Sequence, residues 1–294
     1  LRFKESLNLI EENLKKLLLG FGKKIKEYKD LPCMAYTHLQ PAEPTTLGCR
    51  FAVYAQDVLL DLKLLNFVKK NFPQIRIILL DKNYGFAEGN NEGIKEAFKD
   101  KKVEYIVCLN NDTIVDKNWL KELIASSEKE ESIGMVSSLV ILPDKSIHNI
   151  GLSLESALEL NKDGGISIGY GVKNLKKFNK DIEIFAPSGT AVLFKRDMLK
   201  DIYRVNKEFF DEDFFAYVED LDIGFIGRYL GYKCKFSSKA RLIHLHSQTL
   251  GRASPRKIFL IKRNTFLLAI KYLSFSRFIK FLEEQIKLNL RYAK

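Results

Sequence analysis

With 294 residues, the chain has room for one large α/β domain plus an appendage, or for two modest domains. Its 46% hydrophobic and 29% charged residues exclude a disordered or fibrous protein. No run of about 18 apolar residues is present; the best stretch, Ile258 to Phe275, is broken by Lys262, Arg263 and Lys271. The net charge of +11 is uneven: from Arg256 to Lys294 ten Lys or Arg stand against two Glu. A basic, Phe- and Leu-rich tail of this kind suits an anionic membrane surface, a phosphorylated acceptor or nucleic acid. Cys33, Cys49, Cys108 and Cys234 show no C-x-x-C spacing and read as reduced thiols of a cytoplasmic protein.

In chain order, Phe3, Leu7, Ile10, Leu14, Leu17, Leu18, Phe21 and Ile25 recur at three and four, which predicts an amphipathic helix over residues 2–28. A loop with Pro32, Pro41 and Pro44 follows, and Thr45-Thr46 is placed to cap a second helix over 47–70. The pair forms an α-helical hairpin. After Asn71-Phe72-Pro73 the pattern changes to strands at 75–80, 105–109 and 133–142, alternating with helices at 91–99 and 119–130. A strand pair is expected around Ser188-Gly189. Such alternation predicts an α/β fold with a mostly parallel sheet and ligands at the carboxyl ends of its strands. Three pieces follow: residues 1–65 as the hairpin, 66–255 as the α/β domain, and 256–294 as a basic amphipathic helical tail.

Leu109-Asn110-Asn111-Asp112 puts an acid at such a strand end, and Glu219-Asp220-Leu221-Asp222 packs three carboxylates into four positions. Asp112 suits a hard divalent cation bridging phosphates, though an N-N-D turn alone reads more readily as a solvated turn acid. The acidic cluster offers a general base, or else an acidic helix N-terminus stabilised by the helix dipole.

The blocks Asn83-Tyr84-Gly85-Phe86-Ala87-Glu88-Gly89-Asn90-Asn91-Glu92-Gly93-Ile94, Leu109 to Asp112, Phe215 to Asp222, Arg228-Tyr229-Leu230-Gly231-Tyr232, Ala240 to His244 and Lys262-Arg263-Asn264 occur in this order. Over about residues 66–275 they resemble family-two inverting glycosyltransferases, with greatest similarity to the rhamnosyltransferase-like branch. The resemblance implies a GT-A-type sheet, here without its first two strands, and a nucleotide-sugar donor with a glycan or lipid-linked acceptor. It implies Asp112 and His244 as ligands of Mg²⁺ or Mn²⁺. It implies Asp220 as general base, with Glu219 and Asp222 positioning it or the acceptor. Asn83, Gly85, Gly89 and Asn90 would approach the nucleotide, Asn110 and Asn111 would support the metal turn, and Ser188 and Gly189 would shape the floor under the sugar.

Met34 to Gly48, with Thr37-His38-Leu39-Gln40-Pro41-Ala42 at its centre, is similar to a different family, the adenylosuccinate lyases. Over about residues 1–62 this resemblance implies Thr37, His38 and Gln40 as a lyase-like loop. The chain therefore reads as a chimera. Its first reading is a metal-dependent inverting transferase; the alternative is a non-catalytic chimera with incomplete sites, and the third a lyase. The expected setting is the cytoplasm, with the basic tail packed on the α/β domain or else in peripheral contact with a membrane, with self-association, and with no nucleic-acid partner.

Overall fold

The computed structural model describes residues 3–37, 40–72, 75, 76, 78, 80–153, 167–245 and 254–292. They fall into two compact units, 1–81 and 82–294. In the first, α1 (Phe3–Glu27) and α2 (Leu47–Asn71) form the expected antiparallel hairpin. Lys69 of α2 pairs with Glu11 of α1 at 2.6 Å, and Phe21 faces Phe51 with ring centroids 6.2 Å apart. Thr46 caps α2 as its position suggests, its hydroxyl accepting the Cys49 N–H at 3.1 Å.

The segment between the helices is not the expected loop. It is a two-stranded antiparallel ribbon, β1 (Pro32–Thr37) and β2 (Gln40–Thr46). Each strand of a two-stranded ribbon keeps a free edge, so prolines at 41 and 44 fit where the missing N–H is not needed. The expected strand at 75–80 is also absent at the described residues Ile75, Arg76, Ile78 and Leu80. Among the described residues no strand pairs with this run.

The second unit is built on a mixed sheet. Its strands are β3 (Tyr105–Leu109), β4 (Thr113–Val115), β5 (Ile133–Ile141), β6 (Ile147–Asn149), β7 (Ile182–Ile184), β8 (Ala191–Lys195) and β9 (Lys233–His244). The main order is β3-β8-β5-β9-β4, with β6 on β5 and β7 on β9. The mostly parallel expectation needs correction, since β5 and β9 form the sheet's parallel pair and the other pairings are antiparallel. The helix between β3 and β5 does turn both strands the same way. However, β8 enters between them without a crossover helix and runs opposite. Among the described residues β3 has β8 as its one partner, leaving it at the sheet's outer edge.

β5 is buried along nearly its whole length because helices cover both faces. On one face Met135, Leu139, Phe194 and Phe236 pack with Ile94 of α3 (Gly85–Phe98), Met198 of α5 (Arg196–Asn206) and Ile226 of α6 (Glu219–Tyr229). On the other, Val136, Val140, Leu193 and Leu242 meet Trp119 and Leu123 of α4 (Trp119–Ser127). Two more helices, α7 (Pro255–Tyr272) and α8 (Phe275–Tyr292), close the chain. Leu260, Leu268 and Phe281 are buried there, whereas Phe259, Ile270 and Phe275 are exposed.

Gly224 lets α6 sit directly on the segment of residues 185–186 that follows β7: a Cβ there would lie 2.4 Å from the Ala186 Cβ. Both atoms are fixed to backbone and cannot rotate apart. Gly224→Ala should therefore destabilise the second unit by roughly 1–3 kcal/mol, read as a lower urea midpoint with an unchanged slope.

Candidate active site

The acidic cluster begins α6, and the loop leading into it is strained. Phe215, Tyr217 and Val218 all have positive φ, at 61°, 72° and 76°. Each such non-glycine residue costs on the order of 1–3 kcal/mol unless its surroundings dictate it. Here they do. From α7, the buried Asn264 donates to the carbonyls of Phe214 (2.8 Å), Ala216 (2.8 Å) and Tyr217 (2.6 Å), while Arg263 donates to those of Asp213 (2.6 Å) and Phe214 (2.9 Å).

The loop also fixes α3, which begins six residues earlier than expected. The Phe215 carbonyl accepts the N–H groups of Phe86 (2.6 Å) and Ala87 (3.1 Å), and the Asn83 side chain accepts that of Gly85 at 2.8 Å. This tertiary cap is invisible in the local sequence. Gly85 has φ +77°, and a Cβ there would fall 2.2 Å from the Phe215 oxygen, so only glycine fits. The expected glycine-rich loop is therefore the first turns of a helix. Its leading amides are engaged within the protein instead of standing open to a nucleotide. Gly89 faces open space, and Asn90 donates to the Phe86 carbonyl one turn back. Its neighbour Asn91 is fully buried and exchanges hydrogen bonds with the Phe210 backbone.

Asp220 is anchored to the Pro187–Thr190 turn that leads into β8. One of its oxygens accepts the Gly189 N–H at 3.1 Å and the other the Leu221 N–H at 3.0 Å. Burial outweighs these bonds and pushes its carboxyl up to about 6. A Cβ on Gly189 would lie 3.1 Å from the Phe86 ring and 3.7 Å from the Asp220 oxygen, so the small residue keeps that approach open. The Ser188 hydroxyl lies 3.2 Å from that of Thr190.

Burial first, then the charges of Asp220 and Asp222, raises Glu219 well above the usual carboxylate range. Its Oε2 is buried without a hydrogen-bond partner. Asp222 is turned the other way: buried, it accepts from Lys271 at 2.6 Å and from the Tyr272 hydroxyl at 2.8 Å. Burial raises Asp222, with Lys271 offsetting part of that rise. Asp222 thus holds α7 to α6.

On the other side of the same turn, the Thr190 carbonyl accepts the Asn110 N–H at 2.9 Å, and the Asn110 carbonyl accepts the Thr113 hydroxyl at 2.7 Å. Asn111 is exposed. Asp112, between β3 and β4, meets His244 at the end of β9, with Oδ1 and Nε2 3.0 Å apart. The backbone N–H of Leu245 also donates to the Asp112 carbonyl at 2.9 Å. Burial holds His244 below its ordinary value against the pull of Asp112, so the ring is neutral at neutral pH.

A carboxylate and an imidazole side by side suit a divalent cation that takes its remaining ligands from phosphate and water. No group of three or more His, Cys, Asp or Glu side chains able to hold a metal occurs among the described residues, so this is an open pair, not a closed cage. His148 on β6 also reaches it, its Nδ1 3.3 Å from that of His244. His148 does not stand out in the sequence, and Asn264 enters only as part of the Lys262-Arg263-Asn264 block, without a role at the site. Nothing local marks a histidine whose partner lies 96 positions away. Thr37 closes β1 and Gln40 opens β2, paired across the ribbon, while His38 lies outside the described residues.

Asn264→Ala leaves three carbonyls without their shared donor and should cost roughly 1–3 kcal/mol of stability. In Asn264→Asp, which keeps the size but not the donors, the loop should also become sensitive to proteolysis near Tyr217.

Residues 62–203 match the sequence model of Glycosyl transferase family 2. The Poly-beta-1,6-N-acetyl-D-glucosamine synthase of Staphylococcus epidermidis is 27% identical over 183 residues, covering 62% of this chain and 39% of that protein. The Adenylosuccinate lyase of Schistosoma mansoni is 40% identical over 73 residues, 25% of this chain and 15% of the lyase. The chain therefore spans well under half the length of either relative. A crystal structure of GalNAc-T7 with UDP, GalNAc and Mn2+ superposes with a TM-score of 0.50, covering 70% of this chain and 38% of that one. At 14% identity this likeness is one of fold. No helix among the described residues is long and apolar enough to cross a membrane. Residues 62–203 thus match glycosyl transferase family 2 and lie in an α/β fold similar to that of a GT-A glycosyltransferase, and a shorter N-terminal stretch is similar to adenylosuccinate lyases.

Proposed function

We propose that this chain moves a sugar from a nucleotide-sugar donor to a glycan or lipid-linked acceptor by an inverting displacement. The observation that carries the reading is the Pro187–Thr190 turn, which binds the Asn110-Asn111-Asp112 segment through Thr190 and Asp220 through Gly189. Two functions that sugar transfer needs, a held diphosphate and a base, thus share one support. Asp112 and His244 would hold Mg²⁺ or Mn²⁺, which when bound neutralises charge on the leaving diphosphate. Asp220 takes the proton of the acceptor hydroxyl as its oxygen bonds to the sugar C1. The C1–O bond breaks and its electron pair leaves with the diphosphate. Glu219, kept neutral by burial, adds no second charge beside Asp220, and the charge of Asp222 is paired with Lys271.

A second reading, a non-catalytic chimera with incomplete sites, draws support from the engaged amides at the start of α3. A calorimetric titration with UDP and other nucleoside diphosphates plus Mn²⁺ separates the two. Tight binding overturns the second reading, and no binding of any diphosphate overturns the first. On α8, the exposed Phe275, Ile279 and Ile286 beside Arg277, Lys280 and Lys287 support a peripheral contact with an anionic membrane at the cytoplasmic face.

Asp220→Asn should lower kcat by about 10²–10⁴-fold, measured as diphosphate release across a panel of nucleotide-sugars. The base acts ionised and its pKa is raised to about 6, so wild-type kcat/KM should be full above that value and fall as pH drops through it. A profile flat down to pH 5 (about one unit below this pKa) would remove Asp220 from the role.

A further inference from the structure

β6 and β9 flank the C-terminal end of β5, pairing with Val140 and Ile141 from its two sides. His148 and His244 therefore lie on opposite sides of that strand end, and their rings approach with centroids 5.1 Å apart, tilted by 55°. The contact is between like atoms: Nδ1 of one ring is 3.3 Å from Nδ1 of the other. Between two neutral imidazoles such a contact holds one proton, and the ring that owns it fixes the tautomer of both. If His148 donates, His244 carries its proton on Nε2 and gives it to the Asp112 carboxylate 3.0 Å away. If His244 donates, its Nε2 lone pair faces that carboxylate, acceptor against acceptor. Only a cation between them makes the second arrangement favourable.

The Asn149 amide lies 3.2 Å from the same His148 Nδ1, and its Oδ1 is buried without a partner, so either end of this amide can face the ring and both arrangements are open to the pair.

We infer that His148 is a positioning residue for a divalent cation: it accepts the Nδ1 proton of His244 and thereby turns the His244 Nε2 lone pair toward a cation shared with Asp112. The Nδ1 proton passes from His148 to the Nδ1 of His244, while His244 gives its Nε2 proton to water and His148 takes one from water on its own Nε2. The pair's charge is unchanged and His244 becomes a ligand. This rests on the reading of Asp112 and His244 as the cation-holding pair. Removal of an outer partner of a ligating histidine typically costs 10–100-fold in metal affinity.

The test uses the whole chain, with Mn²⁺ alone as ligand followed by electron paramagnetic resonance, and Mg²⁺ for ¹⁵N NMR of the histidine rings. His148→Leu should weaken Mn²⁺ binding about 10–100-fold, and His148→Gln, whose amide oxygen can accept the Nδ1 proton, should recover most of it. In wild type, Mg²⁺ should move the His244 proton from Nε2 to Nδ1, and in His148→Leu it should not. Retained Mn²⁺ affinity in His148→Leu, with affinity lost in His244→Ala and Asp112→Asn, overturns the role of His148 alone. Unchanged affinity in His244→Ala and Asp112→Asn overturns the cation pair itself and the inference with it. His148→Gln also guards against misfolding, because a folded glutamine variant as weak as the leucine one would count against the acceptor role.

Discussion

The Asn264 amide reaches three carbonyls of the acidic loop from a helix about fifty residues downstream. Two amide hydrogens shared over three acceptors hold Phe215, Tyr217 and Val218 in conformations that none of these residues adopts readily alone. The rest of the site follows from that loop. Its Phe215 carbonyl caps α3, its end starts α6, and the start of α6 points Asp220 at the Gly189 N–H. The aromatic stack of Phe225 on Tyr272, with centroids 4.2 Å apart and planes 7° from parallel, together with the Asp222–Lys271 pair, fastens the same helix from behind. The basic C-terminal segment thus belongs to the site's framework through α7, whatever α8 does at its exposed face.

The three carboxylates divide their work by environment. Asp222 is spent on structure, because Lys271 and Tyr272 occupy it. Burial leaves Glu219 as a neutral acid with one unpartnered oxygen. Asp220 has one backbone donor for each oxygen of its charged form, from Gly189 and Leu221, and a position beside the sheet's carboxyl end. Sequence spacing cannot assign these roles, since the residues differ only in what packs over them.

Where a signal was local and strong, the sequence was legible. The periodicity of residues 3–27, the Thr46 cap and the apolar run Ile133–Ile141 each reappear as α1, the α2 cap and β5. The order of blocks from Asn83 to Asn264 located the acidic helix and the Asp112–His244 pair. What escaped was decided by distant partners. The start of α3 depends on a carbonyl more than a hundred positions away, and the sheet's mixed direction on a strand that enters without a helix. The ribbon at residues 32–46 formed despite its prolines, because a free strand edge does not require every N–H.

The cap of α3 by the Phe215 carbonyl has a mechanical meaning. The first helical turn and the acidic loop are joined by two hydrogen bonds to one oxygen, with a glycine beneath that leaves no slack for a side chain. A rotation of the Phe215 peptide would release both amides at once and open the positive end of α3 to an anion. The same rotation would loosen the residue train leading to Asp220. A single peptide unit is therefore the lever that couples the first turn of α3 to the start of α6.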